Sequence, residues 1–159
     1  MKNILWIFVL VTFSSTANAQ LPVEVAPDQQ ILIQSDNVKL EANKKLVYDF
    51  WRKVLMTRDM TLATQYMAEE YIQHNPNVPT GRQSFIDYFG KFERQPVKPK
   101  IDNLVSMVAE GDKVVLALKR ELPDPKNPGE TYTTTWFDMF RIEDGKIIEH
   151  WDYGTKSTK

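Results

Sequence analysis

The sequence predicts an α+β domain in which three helices of the first half cover one face of a curved antiparallel sheet formed by the second half. Three observations carry this expectation. Apolar residues recur at helical spacing as far as Phe92, and at a spacing of two after Pro96 and Pro99. Glu110-Gly111-Asp112 and Glu143-Asp144-Gly145 read as tight hairpin turns, the second a match for type I′ because Asp-Gly tolerates positive φ. The chain has 159 residues, 42% of them hydrophobic, enough for one buried core and too apolar for a disordered segment.

Taken in order, residues 20–36 read as a flexible lead-in, broken by Pro22 and Pro27 and polar around Asp28-Gln29-Gln30. A folded domain is expected over residues 37–155. Leu40, Val47, Phe50, Trp51, Val54 and Leu55 mark a first helix, with Ser35 or Asp36 as its cap and Lys44, Lys45, Asp49, Arg52 and Lys53 on the polar side. Asp59 caps a shorter helix built on Met60, Leu62, Ala63, Tyr66 and Met67. A brief strand or turn through Tyr71-Ile72-Gln73-His74 stops at Asn75-Pro76, since proline keeps its predecessor out of the α region. Thr80 opens a third helix with Phe85, Ile86, Tyr88, Phe89 and Phe92 as its apolar side. Strands are expected over residues 100–110, 113–122, 130–142 and 146–153, with Pro123, Pro125, Pro128 and Gly129 forming the one long connection.

The first nineteen residues predict export. Lys2 supplies a positive start, Ile4 to Phe13 are apolar except for Thr12, and Ala17-Asn18-Ala19 is a small-residue cleavage site. A run of ten residues is too short to span about 30 Å of hydrocarbon as a helix. The expectation is a cleaved signal peptide over residues 1–19, a periplasmic or secreted protein of 140 residues, and no membrane association after cleavage. Twenty basic and twenty-one acidic residues give no electrostatic case for nucleic acid, and suit a neutral ligand better than a polyanionic one. With no cysteine, disulfides, thiolate metal sites and thiol nucleophiles are excluded. No H-E-x-x-H spacing, G-x-S-x-G elbow or glycine-rich phosphate loop is present, so neither a metal nor a cofactor is expected.

What remains is carboxylate, imidazole and amide chemistry. In Thr133-Thr134-Thr135-Trp136-Phe137-Asp138-Met139-Phe140-Arg141, period-two alternation puts Trp136, Asp138 and Phe140 on one face. A carboxylate between two aromatics either sits on a solvated face with the aromatics partly exposed, or lines a largely apolar cavity, where its pKa rises and suits acid/base work, or forms a buried ion pair with an arginine such as Arg120 or Arg141. His74 is one of two histidines, and it either moves a proton near neutral pH or bonds a backbone carbonyl to shape its loop. In Glu149-His150-Trp151-Asp152, His150 and Asp152 share one face while Ile147, Glu149 and Trp151 share the other. Periodicity alone leaves open which set faces inward, so His150 and Trp151 are both candidate binding residues.

The residues Tyr71-Ile72-Gln73-His74-Asn75-Pro76, Gly81, Phe85, Phe137-Asp138-Met139-Phe140-Arg141 and Asp144-Gly145-Lys146-Ile147-Ile148-Glu149-His150-Trp151-Asp152 together resemble the SnoaL-like polyketide-cyclase family of the nuclear-transport-factor-two-like superfamily. The resemblance covers roughly residues 38–153. It implies a cone-shaped curved antiparallel sheet packed on three N-terminal helices, enclosing an apolar pocket, in a homodimer. It also implies an aldol cyclase or isomerase type of reaction without metal or cofactor. In that family an aspartate on a late strand is the acid/base, and Asp138 matches it. His74 matches the histidine of the Q-H-N-P loop as a second catalytic candidate, while Tyr71, Asn75, Trp136, Phe140, Trp151 and His150 are expected around a small apolar carbonyl compound. The fold hosts many reactions and also non-catalytic domains, so a small-molecule-binding or dimerisation module is the alternative expectation.

Overall fold

Two hydrogen-bond patterns organise the molecule, a helical one to residue 66 and a ladder pattern over most of the rest. The computed structural model describes residues 21–157. The predicted signal peptide, residues 1–19, lies outside the described residues. Helix α1 is the single turn Gln30–Ile33, and α2 runs Val38–Phe50. The cap of α2 is Asn37 rather than Ser35 or Asp36: its Oδ1 accepts from the Lys39 and Leu40 N–H groups at 3.0 and 3.3 Å. Beyond Phe50 the helix widens into a π turn, Trp51–Leu55, closed by the Met56 N–H donating to the Trp51 carbonyl at 2.9 Å. A 3₁₀ turn, Met60–Leu62, leads into α3, Ala63–Tyr66. Met67, read from sequence as helical, begins strand β1, Met67–Gln73. Helix α4, Arg82–Phe89, then precedes β2 (Leu104–Glu110), β3 (Lys113–Pro123), β4 (Thr131–Glu143) and β5 (Lys146–Asp152).

The sheet corrects the expected fold class. Its order is β1-β5-β4-β3-β2, with β1 parallel to β5 and the other pairs antiparallel. It is therefore a mixed, five-stranded, open sheet with β1 and β2 as edges, and not a cone-shaped curved antiparallel sheet. Nor is it built on three N-terminal helices. There are four α-helices among the described residues, and α4 follows the first strand. The physical reason lies in β1: seven residues after a short helix lie along β5, which extends the brief strand or turn expected at residues 71–74 into an edge strand.

The segment before α2, expected to be a flexible lead-in, is tied to the domain by polar contacts that hydrophobic periodicity does not register. The buried Gln29 side chain donates to the Ile101 carbonyl at 2.6 Å and accepts from the Ile101 N–H at 2.9 Å, as a neighbouring strand would. The same Oε1 accepts from the Tyr48 hydroxyl at 2.9 Å, and the Ala26 N–H reaches the Leu104 carbonyl at 2.8 Å. The core between helices and sheet includes Val47, Phe50, Val54, Tyr71, Phe85, Leu116 and Phe140, all fully or almost fully buried. Burying each such side chain contributes roughly 1.5–3 kcal/mol relative to exposure.

One irregularity decides which side chains of β5 face this core. Ile142 pairs with Ile147, but its neighbour Arg141 pairs with Glu149, so the ladder slips by one residue at Ile148. Ile147 and His150, three apart, are consequently both buried. Without that slip, Ile147 inward would force His150 outward. The register is set at the β4–β5 turn, where Asp144 and Gly145 both hold positive φ, 48° and 70°, as a type I′ turn requires. Gly145→Ala is expected to cost about 1–2 kcal/mol through the left-handed φ alone. Urea unfolding monitored by tryptophan fluorescence measures it, and no loss would show that the turn does not hold the register.

Candidate functional site

Between the helices and the inner face of the sheet lies a cavity of about 450 Å³. Its wall is mainly apolar, with Phe50, Trp51, Phe85, Phe89, Leu118 and Trp136 among its residues, and polar side chains are set into it: Arg58, Gln73, Asn75, Asn103, Arg120, Asp138, His150 and Asp152. The π turn brings Trp51, Leu55 and Met56 to this wall. Strands β1, β4 and β5 lie side by side in the order β1-β5-β4 and supply half of these polar groups, Gln73, Asp138, His150 and Asp152.

At the centre is a buried pair. Asp138 is 3% exposed and His150 6%, and Nε2 of the imidazole lies 2.8 Å from Asp138 Oδ1. The two residues stand on neighbouring strands, with Phe140 directly opposite His150 and its ring stacked on the imidazole at 4.5 Å. The other ring nitrogen, Nδ1, is 3.0 Å from Gln73 Oε1. That amide oxygen also accepts from the Asn75 N–H at 3.0 Å, while its nitrogen partner donates to the Tyr71 hydroxyl at 3.0 Å. A backbone N–H only donates, so the glutamine oxygen is oriented toward His150 and Nδ1 carries a proton. The chain Asn75–Gln73–His150–Asp138 thus fixes one tautomer, leaving Nε2 to share a single proton with the aspartate.

Asp138 Oδ2 is buried and makes no hydrogen bond of good geometry among the described residues. Burial pushes the Asp138 carboxyl above the ordinary carboxylate range. The hydrogen bond and charge of His150 pull it back, the Asp152 carboxylate pushes it up further, and last a hydrogen bond from the Trp136 indole lowers it. The Tyr71 phenol, 1% exposed, is held well above the usual tyrosine range by burial and then by the charges of Asp152 and Asp138. It therefore stays a neutral O–H donor at any physiological pH. Asp152 receives both its bonds from Asn75 Nδ2, at 3.0 and 2.8 Å. Gly154 permits this clamp, since a Cβ there would sit 2.7 Å from the Asn75 amide.

Donor atoms of Asp138, His150 and Asp152 lie within 4.8 Å of one another, a spacing that a divalent cation can bridge. The Asp152 oxygens are engaged by Asn75 and His150 Nε2 by Asp138, so proton handling accounts for the cluster more fully than metal ligation does.

Of the residues expected from sequence, Asp138, Tyr71, Asn75, Trp136, Phe140 and His150 line the cavity. His74 and Trp151 do not. They lie on the opposite face of the sheet, ring stacked on ring at 5.0 Å, with His74 Nε2 2.8 Å from Glu149 Oε1. The partner of Asp138 is His150, and neither Arg120 nor Arg141; Arg141 pairs with Glu149 at 2.7 Å. Gln73, Arg58, Asn103 and Arg120 enter the wall without having been candidates. Gln73 had a signal, since alternation puts it one step off His74 and so on the other face.

A model of the SnoaL-like domain family matches residues 47–150. No curated protein matches the chain. Among solved structures, the fold is shared with an NTF2-like protein from Anabaena variabilis, at 15% identity and a TM-score of 0.53 over 78% of this chain and 96% of that one. It is shared also with polyketide-cyclase candidates from Acidithiobacillus ferrooxidans (17% identity, TM-score 0.52, 75% and 89% of the two chains) and from Jannaschia sp. CCS1 (16%, 0.52, 76% and 90%).

Replacing Gln73 by leucine removes the acceptor of the His150 Nδ1 proton. Leaving that buried donor unpaired is expected to cost about 1–3 kcal/mol and to let the imidazole exchange between tautomers. Denaturant unfolding and the ¹⁵N shifts of His150 test this; unchanged shifts in Gln73→Leu would show that another group holds the ring.

Proposed function

We propose that this chain, which belongs to the SnoaL-like domain family by the match over residues 47–150, is a cofactor-independent acid/base enzyme acting on a small carbonyl compound. The observation that supports it above all others is Asp138, a buried carboxylate on the cavity wall whose Oδ2 makes no hydrogen bond of good geometry among the described residues. A bound carbonyl compound with its α-carbon at that oxygen would lose a proton to Asp138 as the C–H electron pair moves into an enolate. The Tyr71 O–H, which receives a bond from Gln73 without giving its own proton to a group in the wall, would donate to the enolate oxygen. His150 stays on Oδ1 throughout, and the proton then leaves Oδ2 for a different carbon (isomerisation) or for the oxygen of a new carbon–carbon bond (aldol closure). Burial raises the Asp138 carboxyl and so makes it a stronger base than an exposed aspartate. The features of residues 1–19 support export with cleavage after Ala19, and no helix among the described residues is long and apolar enough to cross a membrane.

Asp138→Asn keeps the shape and gives His150 Nε2 an amide donor, but has no base. Exchange of α-protons in a panel of aryl ketones and keto acids, followed by NMR in deuterated water, is expected to fall by at least about a hundredfold. Folding must persist, with a defined sign. A carboxyl raised in the folded state contributes stability that is present below its unfolded value of 3.8 and is lost as pH rises through the folded value. The stability of Asp138→Asn relative to the parent should therefore grow as pH rises from about 4. Exchange that is equally fast in the folded variant would remove Asp138 from the chemistry and leave a binding module.

We also propose that two copies meet through the outer sheet face. Phe137 is 55% exposed and Val108 59%, and Val115 and Met139 lie beside them in register. Phe137→Lys is expected to shift sedimentation from dimer to monomer, and a parent chain that sediments as a monomer would refute the pairing.

A further inference from the structure

The sequence has six arginines. Four are tied to an oxygen: Arg52 to the Lys98 carbonyl and Asp49, Arg82 to the Met67 carbonyl, Arg94 to Asp59, and Arg141 to Glu149. The two that have no carboxylate or carbonyl partner among the described residues, Arg58 and Arg120, are the two that line the cavity. Each is held instead by an aromatic face, Arg58 at 4.7 Å from the Phe92 ring centre and Arg120 at 4.5 Å from that of Trp136. Stacking fixes the plane of a guanidinium while leaving its N–H fork unspent.

Backbone strain points the same way. Arg58 adopts φ 60°, one of two non-glycine residues among those described that do so, and the other belongs to a hairpin turn. The left-handed conformation costs an arginine roughly 1–2 kcal/mol, and here it aims a cation at a cavity. The formal charge of the wall agrees. Asp138 and His150 share one proton and sum to zero, Asp152 contributes one negative charge, and the two arginines contribute two positive ones. The cavity is therefore short of one anion, although the chain as a whole carries a formal charge of −1.

We infer that the ligand of this cavity is an organic acid, whose carboxylate, sulfonate or phosphate group is gripped by Arg58 and Arg120 while its apolar body reaches toward Asp138. The inference builds on the acid/base reading of the site but concerns binding, and is tested without turnover. The full-length chain is titrated with anilinonaphthalenesulfonate and with phenylnaphthylamine, a matched pair with one ring system, one of them anionic and the other neutral. The parent should bind the sulfonate at least about tenfold more tightly, as one or two charge-assisted hydrogen bonds allow. High salt should narrow that preference. The double variant Arg58→Gln, Arg120→Gln should lose the preference while binding the neutral probe as before. Asp138→Asn should retain it, so failure of the catalytic reading leaves the anion preference intact. Equal affinities in the parent, a preference that survives the double variant, or binding of neither probe would each overturn the inference.

Discussion

The rest of the site depends on keeping one carboxylate buried. An isolated ionised carboxylate in an apolar interior is costly enough that the group normally neutralises. Here the cost is reduced mainly on one oxygen: His150 holds Asp138 Oδ1, and Oδ2 makes no hydrogen bond of good geometry among the described residues. Everything around the pair serves that asymmetry. His150 must be oriented, so Gln73 binds Nδ1; Gln73 must be oriented, so the Asn75 backbone and the Tyr71 hydroxyl hold its amide. Those three residues come from β1 and the loop after it, which explains why an edge strand running parallel to β5 matters more to the site than its length suggests.

The same requirement explains the slip at Ile148. In a regular strand, Ile147 and His150 would occupy opposite faces, and the sheet would have to choose between its core and its imidazole. One extra residue lets β5 bury both. Phe140 then packs on Phe50 and Trp51 with one part of its surface and on His150 with another, so the core and the site share a wall.

Much of this was legible in the sequence, and what was not has identifiable causes. The four strands after residue 100, both tight hairpin turns and the common face of Trp136, Asp138 and Phe140 follow from alternation and turn chemistry, which are local. The inward face of β5 was not legible, because a one-residue slip leaves no mark in composition. The contact of Gln29 and the full length and pairing of β1, of which only a brief strand or turn at residues 71–74 was legible, escape because their partners, Ile101 and β5, lie 72 or more residues away. His74 looked like the functional histidine of its loop and sits on the outer face instead. The chain's near-zero charge suits a neutral ligand, but net charge averages over the surface and does not register two guanidiniums, of Arg58 and Arg120, that line one cavity with no carboxylate or carbonyl partner among the described residues.

The two faces of the β1–β5 edge make the distinction between structure and function concrete. On each face a histidine meets a carboxylate at 2.8 Å, His74 with Glu149 outside and His150 with Asp138 inside. Outside, every strong group is used: Arg141 takes the second Glu149 oxygen, Trp151 covers the His74 ring, and these partners lower the Glu149 carboxyl, first through the His74 hydrogen bond. That cluster is complete, and it fastens an edge strand to the sheet. Inside, burial raises the Asp138 carboxyl and its second oxygen makes no hydrogen bond of good geometry among the described residues. A histidine and a carboxylate, with β5 supplying one member of each pair, thus give a finished contact on one side and an unfinished one on the other. Buried oxygens in folded domains are as a rule hydrogen-bonded, so an unmatched one calls for water, an ion or a ligand to satisfy it.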